Sequence, residues 1–204
     1  MKDDGTVKQD RSNSDSLVPE LQEYDRQFAA IRQDAQRLLD GLGDRDLAWR
    51  GAAGTWSIGD CLNHLVVTGT QSLSHIHDAV VEARSKGLLG GGPFRHPVVG
   101  RLLILLMDAP PRIRFKVPRA YRPLPDVPVS EIAPMFFALQ DKLTRLLREA
   151  NGVDLTRVKV ANPVSDWFKM TLGQEFAFTA AHERRHLWQA WRVRERLLSI
   201  GVGA

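Results

Sequence analysis

Four stretches of this chain repeat their apolar residues at spacings of three and four, and no other feature constrains its fold as tightly. The first carries Leu21, Tyr24, Phe28, Ile31, Ala35, Leu38 and Leu42, and the second Ile58, Leu62, Leu65, Gly69, Leu73, Ile76 and Val80. The third carries Ile132, Phe136, Leu139, Leu143, Leu146 and Ala150. The fourth carries Leu172, Phe176, Thr179, Leu187, Ala190, Val193 and Leu197, broken only at position 183. At about 100° per residue each set falls on one side of a helix. A helix with one apolar stripe must bury it, and four such helices can do so together. The expected fold is therefore an all-α four-helix bundle.

Local signals place the ends. Pro19 opens the first helix in the turn where its missing N–H is harmless, and Gly41 or Gly43 ends it. Ser57-Ile58-Gly59-Asp60 has the serine-x-x-acid form of a capping box, which starts the second helix; that helix runs to Lys86. Ser130 is the expected cap of the third, which Asn151-Gly152 stops. The fourth is expected from about Thr171 to Ser199. Residues 1–18 are polar and read as a disordered tail, leaving a single domain over 19–199 with a long insert at 87–128. Within the insert, Val98 to Met107 reads as a short extra helix ended by Pro110-Pro111. Ile113, Phe115 and Val117 then alternate with basic residues, as do Val158 and Val160. These two segments are expected to pair as a small two-stranded ribbon.

Composition excludes several classes. A net charge of +4 with no basic block disfavours nucleic-acid binding. One cysteine, Cys61, rules out an internal disulfide framework. No apolar run approaches the roughly 20 residues that span a bilayer, and the N-terminus lacks the apolar core of a signal peptide. The expectation is a cytoplasmic protein with no membrane partner.

Chemistry concentrates in Ala181-His182-Glu183-Arg184-Arg185-His186. Two imidazoles four residues apart lie one turn apart on the same face, the spacing at which one helix presents two nitrogens to a single metal ion. His186 falls within the apolar stripe and His182 on its shoulder, and inward histidines need partners for their nitrogens. Glu183 also points inward, between Thr179 and Leu187. It is a candidate acceptor for an imidazole N–H, a candidate general base beside a metal, or the partner of an arginine. His64, on the flank of the second stripe, offers a third nitrogen from a facing helix. Three histidines leave open coordination positions, as catalytic sites do. Cys61, one turn before His64, reads as a small apolar filler rather than a nucleophile. Trp56 is expected at the loop entering the second helix, Trp188 and Trp191 at bundle margins or a dimer surface, and His75, His77 and His96 at the surface.

Trp56-Ser57-Ile58-Gly59-Asp60-Cys61-Leu62-Asn63-His64-Leu65, followed downstream by His182-Glu183-Arg184-Arg185-His186-Leu187-Trp188-Gln189, resembles the DinB-like superfamily of bacterial metal-binding four-helix bundles. The resemblance runs from about Pro19 to Leu198 and maps the family's three-histidine site onto His64, His182 and His186. It implies a divalent cofactor, zinc or nickel first, and frequent homodimers. For some members it implies transfer chemistry with a low-molecular-weight thiol such as bacillithiol or mycothiol. The insert at 87–128 departs from the family pattern, so no particular substrate carries over.

Two functions remain open at this level. In one, a metal on the three histidines activates a thiol or water against a small-molecule substrate, as a transferase or related hydrolase. Glu183 then orients a ligand or moves a proton, and Arg184, Arg185 or the 112–122 stretch steers an anionic thiol. In the other, the bundle is non-catalytic: it binds a metal or ligand structurally, or the histidines merely hydrogen-bond in a core.

Overall fold

A computed structural model describes residues 16–113, 116–160 and 169–201, with the main chain alone at 201. Helices α1 (Pro19–Leu39), α3 (Ile58–Ser85), α5 (Val129–Glu149) and α6 (Leu172–Gly201) are the four long elements. Between them lie the short helices α2 (Asp44–Ala48) and α4 (Val98–Met107), and a single 3-10 turn at Arg119–Tyr121. Helix α1 packs on α5 and α6, and α3 packs on the same two, so α1 lies diagonally across from α3. That arrangement makes α3 and α6 neighbours, and it is why His64 can meet His182 and His186.

The stripes do the packing. Leu21, Phe28, Ile31, Ala35 and Leu38 of α1 are buried, as are Ile58, Leu62, Leu65, Ile76 and Val80 of α3. All of Ile132, Phe136, Leu139, Leu143, Leu146 and Ala150 are buried, and so are Leu172, Phe176, Leu187 and Ala190 of α6. Helix α3 starts at the expected capping box. The Ser57 hydroxyl accepts from the Asp60 amide at 3.0 Å and the Asp60 carboxylate accepts from the Ser57 amide at 2.8 Å, satisfying two orphan donors. Gly152, at a φ of 82°, ends the turn after α5 in a conformation that side chains resist.

Several local expectations need correction. Ser130 does not cap α5; the helix begins one residue earlier, and Pro128, with φ fixed near the cap value, stands at its start. Helix α2 has five residues, too few for a stripe to register. Among the described residues the two-stranded ribbon has a different partner: Lys159–Val160 pairs antiparallel with Met170–Thr171. Strands close in sequence close a shorter loop, which costs less entropy. Further bonds from the Leu172 and Gly173 amides to Val158 and Leu155 extend the ribbon into α6. Arg114 and Phe115 lie outside the described residues, as do residues 1–15 of the expected tail. The last of that tail does pack: Leu17 and Val18 touch the core, and the Val18 amide donates to Asn151 at 3.0 Å.

The approach of α3 to α5 depends on Gly69. A Cβ there would lie 2.5 Å from one methyl of Leu139 and 3.3 Å from its Cγ, closer than packed carbons come. Gly69→Ala is expected to lower stability by about 1–3 kcal/mol, read as a lower urea midpoint at unchanged m-value.

Candidate metal centre

The three histidines converge. His64 is held by α3, His182 and His186 by successive turns of α6, and one ligand atom from each lies within 4.8 Å of the other two. The Nε2 atoms of His64 and His182 are 3.2 Å apart. Nitrogens bound tetrahedrally at about 2.0–2.1 Å from a metal sit about 3.3 Å apart, so this pair already spans one edge of a coordination polyhedron. The Nδ1 of His64 lies 2.5 Å from the carbonyl oxygen of Tyr121. A carbonyl only accepts, so Nδ1 carries the proton and Nε2 presents its lone pair. Facing it, either the His182 Nε2–H donates or a cation lies between two lone pairs. Among the described residues Nδ1 of His186 is buried with no hydrogen-bond partner.

Protonation favours the same use. Burial first, then the neighbouring His64 and Arg185, holds His182 down at about 3. Burial likewise pushes His186 and His64 below the usual imidazole range. All three are neutral at physiological pH, the form a metal needs. Aromatic rings wall the cluster. Trp56 lies with its ring centroid 5.0 Å from His64 and 5.6 Å from His186, while Phe178 is parallel to His182 at 6.2 Å. The triad opens on a cleft of about 1690 Å³ bounded by α3, α6 and the insert.

Glu183 sits in the wall of this cleft and is buried, as its place in the stripe requires. Among the described residues its hydrogen-bond partner is not an imidazole: Oε1 accepts from the Gln140 side chain of α5 at 2.8 Å, and Oε2 has none. Burial pushes its carboxyl up to about 8, although Gln140 and Arg184 pull the other way. One of the three roles open to it, the acceptor for an imidazole N–H, is filled at His64 by the Tyr121 backbone.

Of the basic groups expected near the opening, Arg185, Lys116 and Arg122 line the cleft and Arg184 does not. Arg184 grips Asp108, at the end of α4, with two bonds of 2.9 and 2.6 Å, and reaches Gln27 of α1 at 2.9 Å. Arg185 is buried and donates to the carbonyls of Leu106 and Ile113. Both fasten the insert to the bundle. Asn63 fastens its far end, exchanging two bonds with the Leu124 backbone. His96 is a further anchor and not a surface residue: one ring nitrogen meets Thr171 and the other Glu20, each at 2.7 Å. Cys61 is fully buried, with its thiol pushed far up by burial, so it is core and no nucleophile.

Sequence reasoning passed over Glu175. It lies two turns before His182 on the same face of α6, lines the cleft, and accepts from Ser72 at 3.3 Å. Its spacing of three from Leu172 and four from Thr179 was the available signal.

A scan against protein-family models matches the DinB superfamily over residues 27–190. The chain belongs to the DinB superfamily. No curated protein and no solved structure matches it. Membership of the DinB superfamily agrees with the helical bundle and with a histidine cluster shared between two neighbouring helices.

Burial pushes the Glu175 carboxyl up to about 7 from an ordinary value of 4.5. Between those values the native state holds a proton that the unfolded chain has lost, so stability falls as pH rises, by roughly 3 kcal/mol in all. Glu175→Gln removes this contribution. The variant should match the wild type near pH 4.5 and unfold at higher temperature than the wild type above pH 7, as thermal melts across that range will show.

Proposed function

We propose that this chain binds a divalent metal ion through His64, His182 and His186 and uses it to transfer a low-molecular-weight thiol to a small electrophile. The convergence of three neutral imidazoles, two buried and one half-buried, on the wall of an open cleft is the observation that carries the reading. Three protein ligands leave positions for water or substrate, unlike a closed structural site. Three imidazoles suit zinc or nickel. When bound, such an ion supplies a Lewis acid that makes a thiol or water acidic near neutral pH.

The chain's own residues do the rest. The Nδ1–H of His64, fixed on Tyr121, aims Nε2 at the centre. Trp56 and Phe178 exclude water from one side, which strengthens electrostatic interactions within the cleft. In the transfer, the thiol gives up its proton, its sulfur forms a bond to the electrophilic carbon, and the leaving group departs with its electron pair. Glu183, with Oε2 unpartnered among the described residues in the cleft wall, is the proposed proton acceptor. Because burial pushes its carboxyl up to about 8, the ionised form it needs, and with it the transfer rate, should grow as pH rises through that value. Glu175, about 10 Å further along α6, faces the more distant part of a substrate. The cleft is large enough for a thiol cofactor and a second small molecule together.

A related hydrolysis, with water in place of the thiol, uses the same residues. A non-catalytic metal bundle is the alternative, and the two separate cleanly. Protein purified without a histidine tag should carry near-stoichiometric metal, and His182→Ala/His186→Ala should carry almost none. Thiol consumption against a panel of electrophiles should vanish on chelation and return with zinc or nickel. Full metal content with no turnover of any thiol or water reaction would leave the structural role. A wild type that resists metal loading would end both.

A further inference from the structure

We infer that α4 is a docking face for an anionic membrane surface. Its inner side is set by Gly100, which is buried and so close to α6 that a Cβ would meet the Gln174 side chain at 2.3 Å. At about 100° per residue, Val98, Leu102 and Leu105 point the opposite way, within a sector about 60° wide. They are 75%, 54% and 55% exposed, and Val99 beside them 62%. A lone exposed leucine is ordinary, but an entire aliphatic helix face turned to solvent is not, and Ile113 extends it.

Charge identifies the occupant. Arg95, Arg101 and Arg112, within α4 or close to its ends in the chain, are all exposed, and none is in an ion pair among the described residues. Asp108, the acidic residue among them, is neutralised by Arg184. A second copy joined by a two-fold axis would set this cationic segment against itself, since the same patch faces both ways across such an interface. Lipid phosphates offer the opposite sign. Aliphatic side chains flanked by arginines are what a segment lying in a headgroup layer requires.

Among the described residues no helix is long and apolar enough to cross a membrane, and lying on one requires no such span. Leu103 and Met107 of the same helix line the cleft, so α4 stands between cleft and bilayer. Substrates that partition into the interface would then arrive beside the site.

The full chain is to be sedimented with vesicles of phosphatidylcholine alone and with a third phosphatidylglycerol. Binding to the anionic vesicles is expected, weakened at least about tenfold by raising salt from low to several times physiological. Leu102→Glu/Leu105→Glu and Arg101→Glu/Arg112→Glu should each weaken it by about tenfold or more while leaving the circular dichroism and metal content of the wild type. The inference fails if the wild type ignores anionic vesicles at low salt, or if both variants bind as the wild type does. It fails too if light scattering shows a dimer that the leucine pair dissociates and vesicles do not recruit. That result would make the face a contact between copies.

Discussion

The bond between His64 and the Tyr121 carbonyl ties the chemistry of this protein to its architecture. It fixes which imidazole nitrogen carries the proton, and it seats the end of the insert on α3. Neither effect survives without the other. An insert that moved away would free the ring to take the other tautomer, and a ring that turned would remove a contact holding the insert. The neighbouring Asn63, one residue before His64, clamps Leu124 twice and so resists both movements. A backbone carbonyl is a reliable partner here because no substitution removes it.

The same economy runs through α6. Within five residues, His182 and His186 face the cleft, Glu183 faces Gln140, and Arg184 and Arg185 reach outward to grip the insert. A helical period of 3.6 allows this, since consecutive side chains leave the axis in different directions. The insert is consequently a wall of the site held at several places: His96 and Gln174 near its start, Arg184 and Arg185 in its middle, and His64 and Asn63 near its end. Each anchor is polar and partly or wholly shielded, so each bond is worth more than its counterpart in water.

The bundle was legible because burial acts on whole stripes: Ile132, Phe136 and Leu139 each had one way to be placed once the period was recognised. The convergence of His182 and His186 was legible from spacing, and that of His64 from its motif, since an imidazole is a side chain of a particular kind. What stayed hidden has other causes. Tyr121 contributes a carbonyl, which leaves no trace in residue identity. His96 meets Glu20 and Thr171 across more than seventy positions of chain, a distance at which no local pattern operates. The ribbon was assigned the wrong partner because alternation reports which face is buried and not which strand lies alongside. Charge alone suggested that the two arginines steer a thiol, because it does not show whether a carbonyl or carboxylate lies within reach.

Trp56 brings an optical consequence. Its indole stands within 6 Å of two of the three imidazoles, centroid to centroid, while Trp188 lines the cleft two residues past His186 and Trp191 donates to Asp34 of α1. Indole emission is quenched by a nearby open-shell ion and is little affected by a closed-shell one. The residue that seals the cluster from water therefore also reports its contents. Under the proposed metal binding, nickel in the site would dim this ring's fluorescence and zinc would leave it bright, so emission alone would tell the two ions apart.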